Sequence, residues 1–244
     1  MTPLRQTRVE KAAADCGFEL PPELVGDTLV LRSTRFPESV TVRFLGAEDF
    51  ELSAPTSMML PANATGNVLS VRGFDALYDA LLKAAATART MPDRVAEKFG
   101  QVTANLPRST EAERLVVQRV GQELFRSALL DYLQSRCCVT GLDVPDLLRA
   151  SHIKPWATCD RDEERLDVFN GLLLSPTLDA MFDGGWITFS PAGSILISTV
   201  LSPTALGVLG IPNNGHIDGL QSRHQHYLDF HRRQVFRAES GARS

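Results

Sequence analysis

ASHIKPWATCDRDEERLDVFNGLLLSPTLDAMFDGGWITF, residues 150–189, is the stretch on which the reading of the whole chain turns. Leu147 to Ile153 is apolar enough for a short buried strand. Lys154, Pro155 and Trp156 end it, because proline cannot continue a ladder. His152 therefore sits at a strand end beside a loop. Ala157 to Asp167 carries Asp160, Arg161, Asp162, Glu163, Glu164 and Arg165, too much charge for an interior, which predicts an exposed loop or a short solvated helix. Gly171 to Leu174 resumes an apolar strand. Ser175 suits an N-cap with Pro176 in the first helical position, and Gly184-Gly185 stops the helix that begins there. Residues four apart share a helical face, so Asp179 and Asp183 project together while Leu178, Met181 and Phe182 cover the core.

Taken one at a time these features are ordinary: Asn-Gly is a common turn signal, and paired aspartates usually belong to a solvated face. Taken together they resemble the HNH endonucleases, in the variant with aspartate at the third signature position. His152 falls on the first signature histidine, Asn170 on the asparagine and Asp179 on the last position. The segments RVGQELFRSALLDYLQSRCCVTG (Arg119 to Gly141) and YLDFHRRQVF (Tyr227 to Phe236) are similar to flanks of the same subgroup, so the resemblance spans about Glu111 to Arg237. It implies a ββα-metal finger and hydrolysis of DNA phosphodiester bonds to leave a 5′ phosphate. Such a reaction needs an activated water, neutralisation of charge on the phosphoryl oxygens and help for the departing 3′ oxygen. Imidazole titrates near neutrality, which suits His152 as general base. By the resemblance, Asn170 positions His152, and Asp179 with Asp183 holds one divalent ion.

The sequence departs from the commoner family pattern at two positions. Ser151 stands where many relatives place a histidine or aspartate ligand, and Asp179 replaces a histidine. Both changes put oxygen in place of nitrogen, so Mg²⁺ or Mn²⁺ is expected in preference to Zn²⁺ or Ni²⁺. Many relatives carry paired C-x-x-C motifs around a structural zinc. Cys16, Cys137, Cys138 and Cys159 form no such pair, so no structural zinc is expected, and Cys138 reads as a small buried residue beside a turn.

A net charge of −4 excludes a protein that binds nucleic acid through an overall basic surface, and neither half of the chain is basic. Contacts to DNA must come from local groups. Lys154 and Arg165 lie beside the proposed site; Arg119 and Arg126 lie on the helix leading into it; Arg232 and Arg233 lie in a basic last helix that also holds His224, His226 and His231. The spacing of these histidines does not place all three on one face, so a basic patch near DNA is preferred to a metal site. No stretch has the length of a signal sequence core or a membrane span, which gives the expectation of a cytoplasmic protein without membrane contact.

Upstream, Thr7 to Cys16 reads as a helix. Thr28 to Arg32, Ser39 to Leu45, Phe50 to Ser53 and Val68 to Val71 read as strands with a loop at Ala54 to Gly66, and Phe74 to Ala88 as an amphipathic helix. The expected organisation is α+β: a small α+β domain over 1–88, a connector over 89–109 with a short helix, a helix-flanked ββα-metal domain over 110–239, and a disordered tail over 240–244. A capping box at Ser109 or Thr110 with Glu113 opens a helix running to Ser135, whose apolar face is assigned to Leu115, Val116, Val120, Leu124, Leu129, Leu130 and Leu133. Trp186 to Phe189 and Ile195 to Thr199 form a hairpin, a turn follows at Pro212 to Gly215, and the last helix spans Ser222 to Ala238.

The expectation is a metal-dependent DNA endonuclease, placed in bacterial defence or restriction by analogy alone. A second reading is a nucleic-acid-binding protein that keeps the finger but has lost turnover, and a third is a structural part of a larger complex. For residues 1–88 the sequence leaves open a packing or homodimerising role and a module that receives a regulatory partner or ligand.

Overall fold

A computed structural model describes residues 2–212, 214–217 and 220–238. The expected tail at 240–244 and Asn213 of the expected turn lie outside the described residues. The chain divides into two compact units, Met1–Arg89 and Thr90–Ser244. None of the described helices is long and apolar enough to cross a membrane.

The first unit opens with α1 (Pro3–Cys16) and continues through β1 (Glu23–Val25), β2 (Thr28–Leu31), β3 (Val40–Phe44), β4 (Asp49–Ser53) and β5 (Val68–Arg72) to α2 (Phe74–Arg89). The five strands pair antiparallel in sequence order, as short connections favour. Alternation along them buries Leu29, Leu31, Val40, Val42, Phe50 and Leu52. The helices α1 and α2 pack together, and Arg5 of α1 lies over the rings of Phe44 and Phe50 at 5.3 and 5.5 Å. Strand β1 was not expected. All three of its residues are exposed, so it carries no alternation to read, and only its pairing, Leu24 with Leu29, defines it.

The second unit begins with α3 (Pro92–Thr103), which buries Val95 and Phe99 and packs against α4 (Glu111–Tyr132). The Thr110 side chain accepts from the Glu113 amide at 3.2 Å while the Glu113 carboxylate accepts from the Thr110 amide at 2.8 Å, closing the expected capping box. The apolar face of α4 differs from the expected one. Leu115 and Val116 are about half exposed, at 52% and 51%, and the buried stripe is Val117, Gly121, Phe125, Leu129 and Tyr132. A glycine in the stripe reads as a gap in the sequence. In the structure it is where the Trp156 ring packs, and a Cβ built there would stand 2.6 Å from that ring.

Next come β6 (Arg149–His152), α5 (Asp162–Arg165), β7 (Gly171–Leu174) and α6 (Pro176–Asp183), then the hairpin of β8 (Ile187–Phe189) and β9 (Ile195–Ile197), followed by α7 (Pro203–Leu209) and α8 (Ser222–Phe230). Strand β6 is shorter than expected, since Pro145–Leu147 forms a 3₁₀ turn ahead of it. The last helix is shorter too: α8 gives way to a π turn over His231–Val235 and then to extended chain. That extended end is fastened down. The Arg237 amide donates to the Gly185 carbonyl at 2.9 Å, the Ser198 hydroxyl donates to the Arg237 carbonyl, and the Arg237 guanidinium lies 3.9 Å from the centre of the Trp186 ring.

The histidines of the last helix correct the reading of a basic patch, because two of the three are interior. His224 is 2% exposed against Tyr132 and Phe169, and His231 is 1% exposed. The His231 ring stacks on Phe182 at 3.8 Å, with Nδ1 3.0 Å from Thr188 Oγ1 and Nε2 3.0 Å from the Phe182 carbonyl. A carbonyl only accepts, so the neutral ring carries its proton on Nε2 and receives the Thr188 hydroxyl at Nδ1. Arg232 donates to the Phe189 carbonyl and pairs with Asp229, which ties it to the fold, whereas Arg233 is exposed. Cys138 is partly exposed, and the fully buried neighbour is Cys137.

Burial lowers the His231 pKa to about 4 from an ordinary 6.5. The folded state therefore holds fewer protons than the unfolded one between these values, and the stability His231 contributes above pH 6.5 is lost as the pH falls towards 4. Both tryptophans lie in the second unit, so their fluorescence reports its unfolding. Urea melts from pH 4.5 to 6.5 are expected to show a steep loss of stability on acidification, with His231→Gln shallower by up to one proton, about 1.4 kcal/mol per pH unit. Equal slopes in the two proteins would contradict this.

Candidate active site

Strands β6 and β7 form an antiparallel hairpin in which Ser151 faces Leu172 and His152 faces Gly171. Side chains alternate across a strand, so adjacent Ser151 and His152 leave on opposite faces. Helix α4 covers the His152 face. The imidazole stacks on Phe125 at 3.9 Å, and a Cβ at Gly171 would come within 2.6 Å of the same phenyl ring. Helix α6 covers the Ser151 face, where the serine hydroxyl lies 2.6 Å from Asp179 Oδ1 and 3.4 Å from Asp183 Oδ1. Among the described residues, strand β6 has a partner on one side only. Residues from both faces reach its open edge, where Ser151, His152, Trp156 and Asp183 line a cavity of about 420 Å³.

His152 Nε2 lies 2.8 Å from the Arg165 carbonyl. As at His231, the acceptor fixes the neutral tautomer: the proton is on Nε2, and Nδ1 keeps a lone pair that no group among the described residues takes. Packing between Phe125 and the edge of Trp156 lowers the His152 pKa to about 4 through loss of hydration, an effect only partly opposed by the Arg165 carbonyl. The ring is thus neutral at neutral pH and able to accept a proton.

The Asn170 side chain is fully buried and makes no hydrogen bond to the imidazole. Its Oδ1 accepts from the Lys154 amide at 2.7 Å, and its Nδ2 donates to the Lys154 and Glu164 carbonyls at 3.2 and 3.1 Å. This closes the charged loop over residues 154–165 into a ring, and the carbonyl next in the chain after Glu164 is the one that holds His152. The side chains of Asn170 and His152 are thus linked through the loop backbone. Its own turn is anchored by Asp167, 1% exposed, whose carboxylate accepts from the Phe169 amide, the Tyr227 hydroxyl and Arg223. Burial raises the Asp167 pKa, and Arg223 opposes that rise.

The cations expected at phosphate are mostly occupied. Lys154 Nζ pairs with Glu164 at 2.7 Å, both side chains largely buried. Arg165 bonds to Asp162 at 3.0 Å and to the Trp156 and Cys159 carbonyls. Arg126 donates to the Leu148 and Pro145 carbonyls at 2.7 and 2.8 Å, clamping the turn before β6. Arg119 is exposed. Phe125, Trp156 and the Arg165 carbonyl are site elements that sequence reading missed. Phe125 could have been found from the four-residue spacing of the buried stripe, but a main-chain carbonyl leaves no trace in a sequence.

Asp179 and Asp183 share a face of α6 as their spacing requires. Asp183 keeps an exposed side, yet lost hydration and then the Asp179 charge raise its pKa, while the Ser151 hydroxyl lowers it. Among the described residues no three or more His, Cys, Asp or Glu side chains converge as a metal cage. The donors present are two carboxylates and one hydroxyl, all oxygen, with like charges close enough to repel. That set fits a hard divalent cation that keeps several of its waters.

Comparison with known proteins bears on this arrangement. No curated protein matches the chain. A family model described as HNH endonuclease matches residues 137–190, a minority of the chain that nonetheless contains β6, β7, α6 and every residue of the cavity edge from Ser151 to Asp183. The hairpin, the helix behind it and the family match coincide, so residues 137–190 are similar to an HNH endonuclease module.

Proposed function

We propose that the protein is a metal-dependent endonuclease that hydrolyses phosphodiester bonds in DNA. The observation that carries this reading is the fixed, neutral His152, held at Nε2 by a main-chain carbonyl and lining one cavity with Ser151 and Asp183. His152 Nδ1 takes the proton of the attacking water. Asn170 keeps the Arg165 carbonyl in place and thereby the imidazole. Asp179, Asp183 and Ser151 would hold Mg²⁺ or Mn²⁺, which supplies neutralisation of the phosphoryl oxygens and of the departing 3′ oxygen. Ser151 has a single proton, so it serves one carboxylate at a time and can turn its lone pairs towards a cation. The low basicity of His152 and the small number of charged donors favour a second reading, a binding protein that keeps the finger without turnover.

Plasmid nicking with Mg²⁺ or Mn²⁺ separates the two. The wild-type chain is expected to nick. His152→Ala should lose about 10²- to 10⁴-fold in rate, the usual contribution of general acid–base catalysis, and Asp179→Ala should lose a comparable amount. Binding without nicking by the wild-type chain would decide for the second reading.

Asn170→Ala strands the Lys154 amide and two carbonyls in the interior and should cost about 2–3 kcal/mol of stability. It should also slow nicking while leaving DNA binding intact and speed amide exchange at Lys154. Normal nicking in a variant with a freed loop would show that the loop does not position the base.

A further inference from the structure

We infer that Arg149 binds a backbone phosphate flanking the one attacked, so that the cut strand crosses the open edge of β6 past His152. This rests on the nuclease reading above. A second cavity, of about 400 Å³, lies beside the first and is lined by Arg149, Arg126, Gln122, Asp146, Phe125 and His152. Gln122, Ala150 and His152 line both, so the two spaces meet at the imidazole. Arg149 lies three residue steps along the strand from His152, about 10 Å at the usual rise, and a long side chain on that strand reaches the next phosphate or the one after it.

The choice of Arg149 follows from what the other cations are doing. Lys154 and Arg165 are held within the loop, and both terminal nitrogens of Arg126 are on carbonyls. Arg149 is exposed on the cavity, and no hydrogen bond or ion pair among the described residues occupies its guanidinium. A guanidinium presents paired donors that match phosphate oxygens. Asp146 lies on the same cavity and opposes an anion there, yet with Arg126 and Arg149 the lining remains net positive. Asp183 lines only the first cavity and Arg149 only the second, with His152 common to both.

The test measures the affinity of a short DNA duplex by fluorescence anisotropy in EDTA over a salt series, together with KM and kcat for nicking with Mg²⁺ or Mn²⁺. Arg149→Ala should weaken binding 3- to 10-fold, raise KM by a similar factor, leave kcat within about twofold, and reduce the log–log salt slope by about one. Arg149→Lys should recover part of the affinity, and Asp146→Asn should tighten binding. Arg149 makes no hydrogen bond or ion pair among the described residues, so melting temperatures should be unchanged, and the lysine variant guards against a structural effect. If the wild type binds and nicks while Arg149→Ala keeps the same affinity, slope and KM, this inference falls alone. If the wild type neither binds nor nicks, it falls together with the reading beneath it.

Discussion

One buried amide governs the geometry of the site. The charged stretch of residues 154–165 between β6 and β7 fully buries only Cys159, so its shape depends on hydrogen bonds. Asn170, fully buried, supplies three of them to the main chain of Lys154 and Glu164. The Lys154–Glu164 pair and the Arg165 side chain tighten the same ring. Two shells stand behind it. The carbonyl of Arg165 orients the imidazole in front, and Asp167, gripped by Tyr227 and Arg223 of α8, fixes the turn behind. A buried amide left half satisfied is costly, which makes this arrangement close to all-or-none.

The electrostatics divide by side of the hairpin. Facing α4 is a ring kept neutral by aromatic packing; facing α6 is a pair of carboxylates crowded against one hydroxyl. A phosphate diester approaching the second side meets repulsion until that charge is offset. On the proposed reading, the groups that would hold a cation are also the ones that would repel a substrate in its absence.

Much of this was readable from residues. Ser175-Pro176 and Gly184-Gly185 delimit α6, and Pro155 ends β6, because these residues restrict the backbone whatever surrounds them. The pairing of Asp179 with Asp183 follows from helical geometry alone. What could not be read depends on three-dimensional neighbours. The face of α4 was misjudged at Leu115 and Val116 because Gly121 contributes by absence of a side chain. His224 and His231 looked basic in sequence and proved to be core residues, since the aromatic rings that bury them come from distant parts of the chain. Lys154 and Arg165 looked available for phosphate and proved to be loop fasteners, because ion-pair partners in a charged loop are chosen by its closed shape.

The extended segment after the π turn has a wider meaning for what counts as the working module. The family match ends at residue 190, yet His231 lies flat on Phe182 of the aspartate-bearing helix, and the Arg237 amide closes onto Gly185 at that helix's end. An excised fragment bounded by residues 137–190 would leave one wall of α6 bare. Moving this stretch into another protein would therefore mean moving residues 231–237 as well, a lodger from outside the matched boundary that keeps the helix covered.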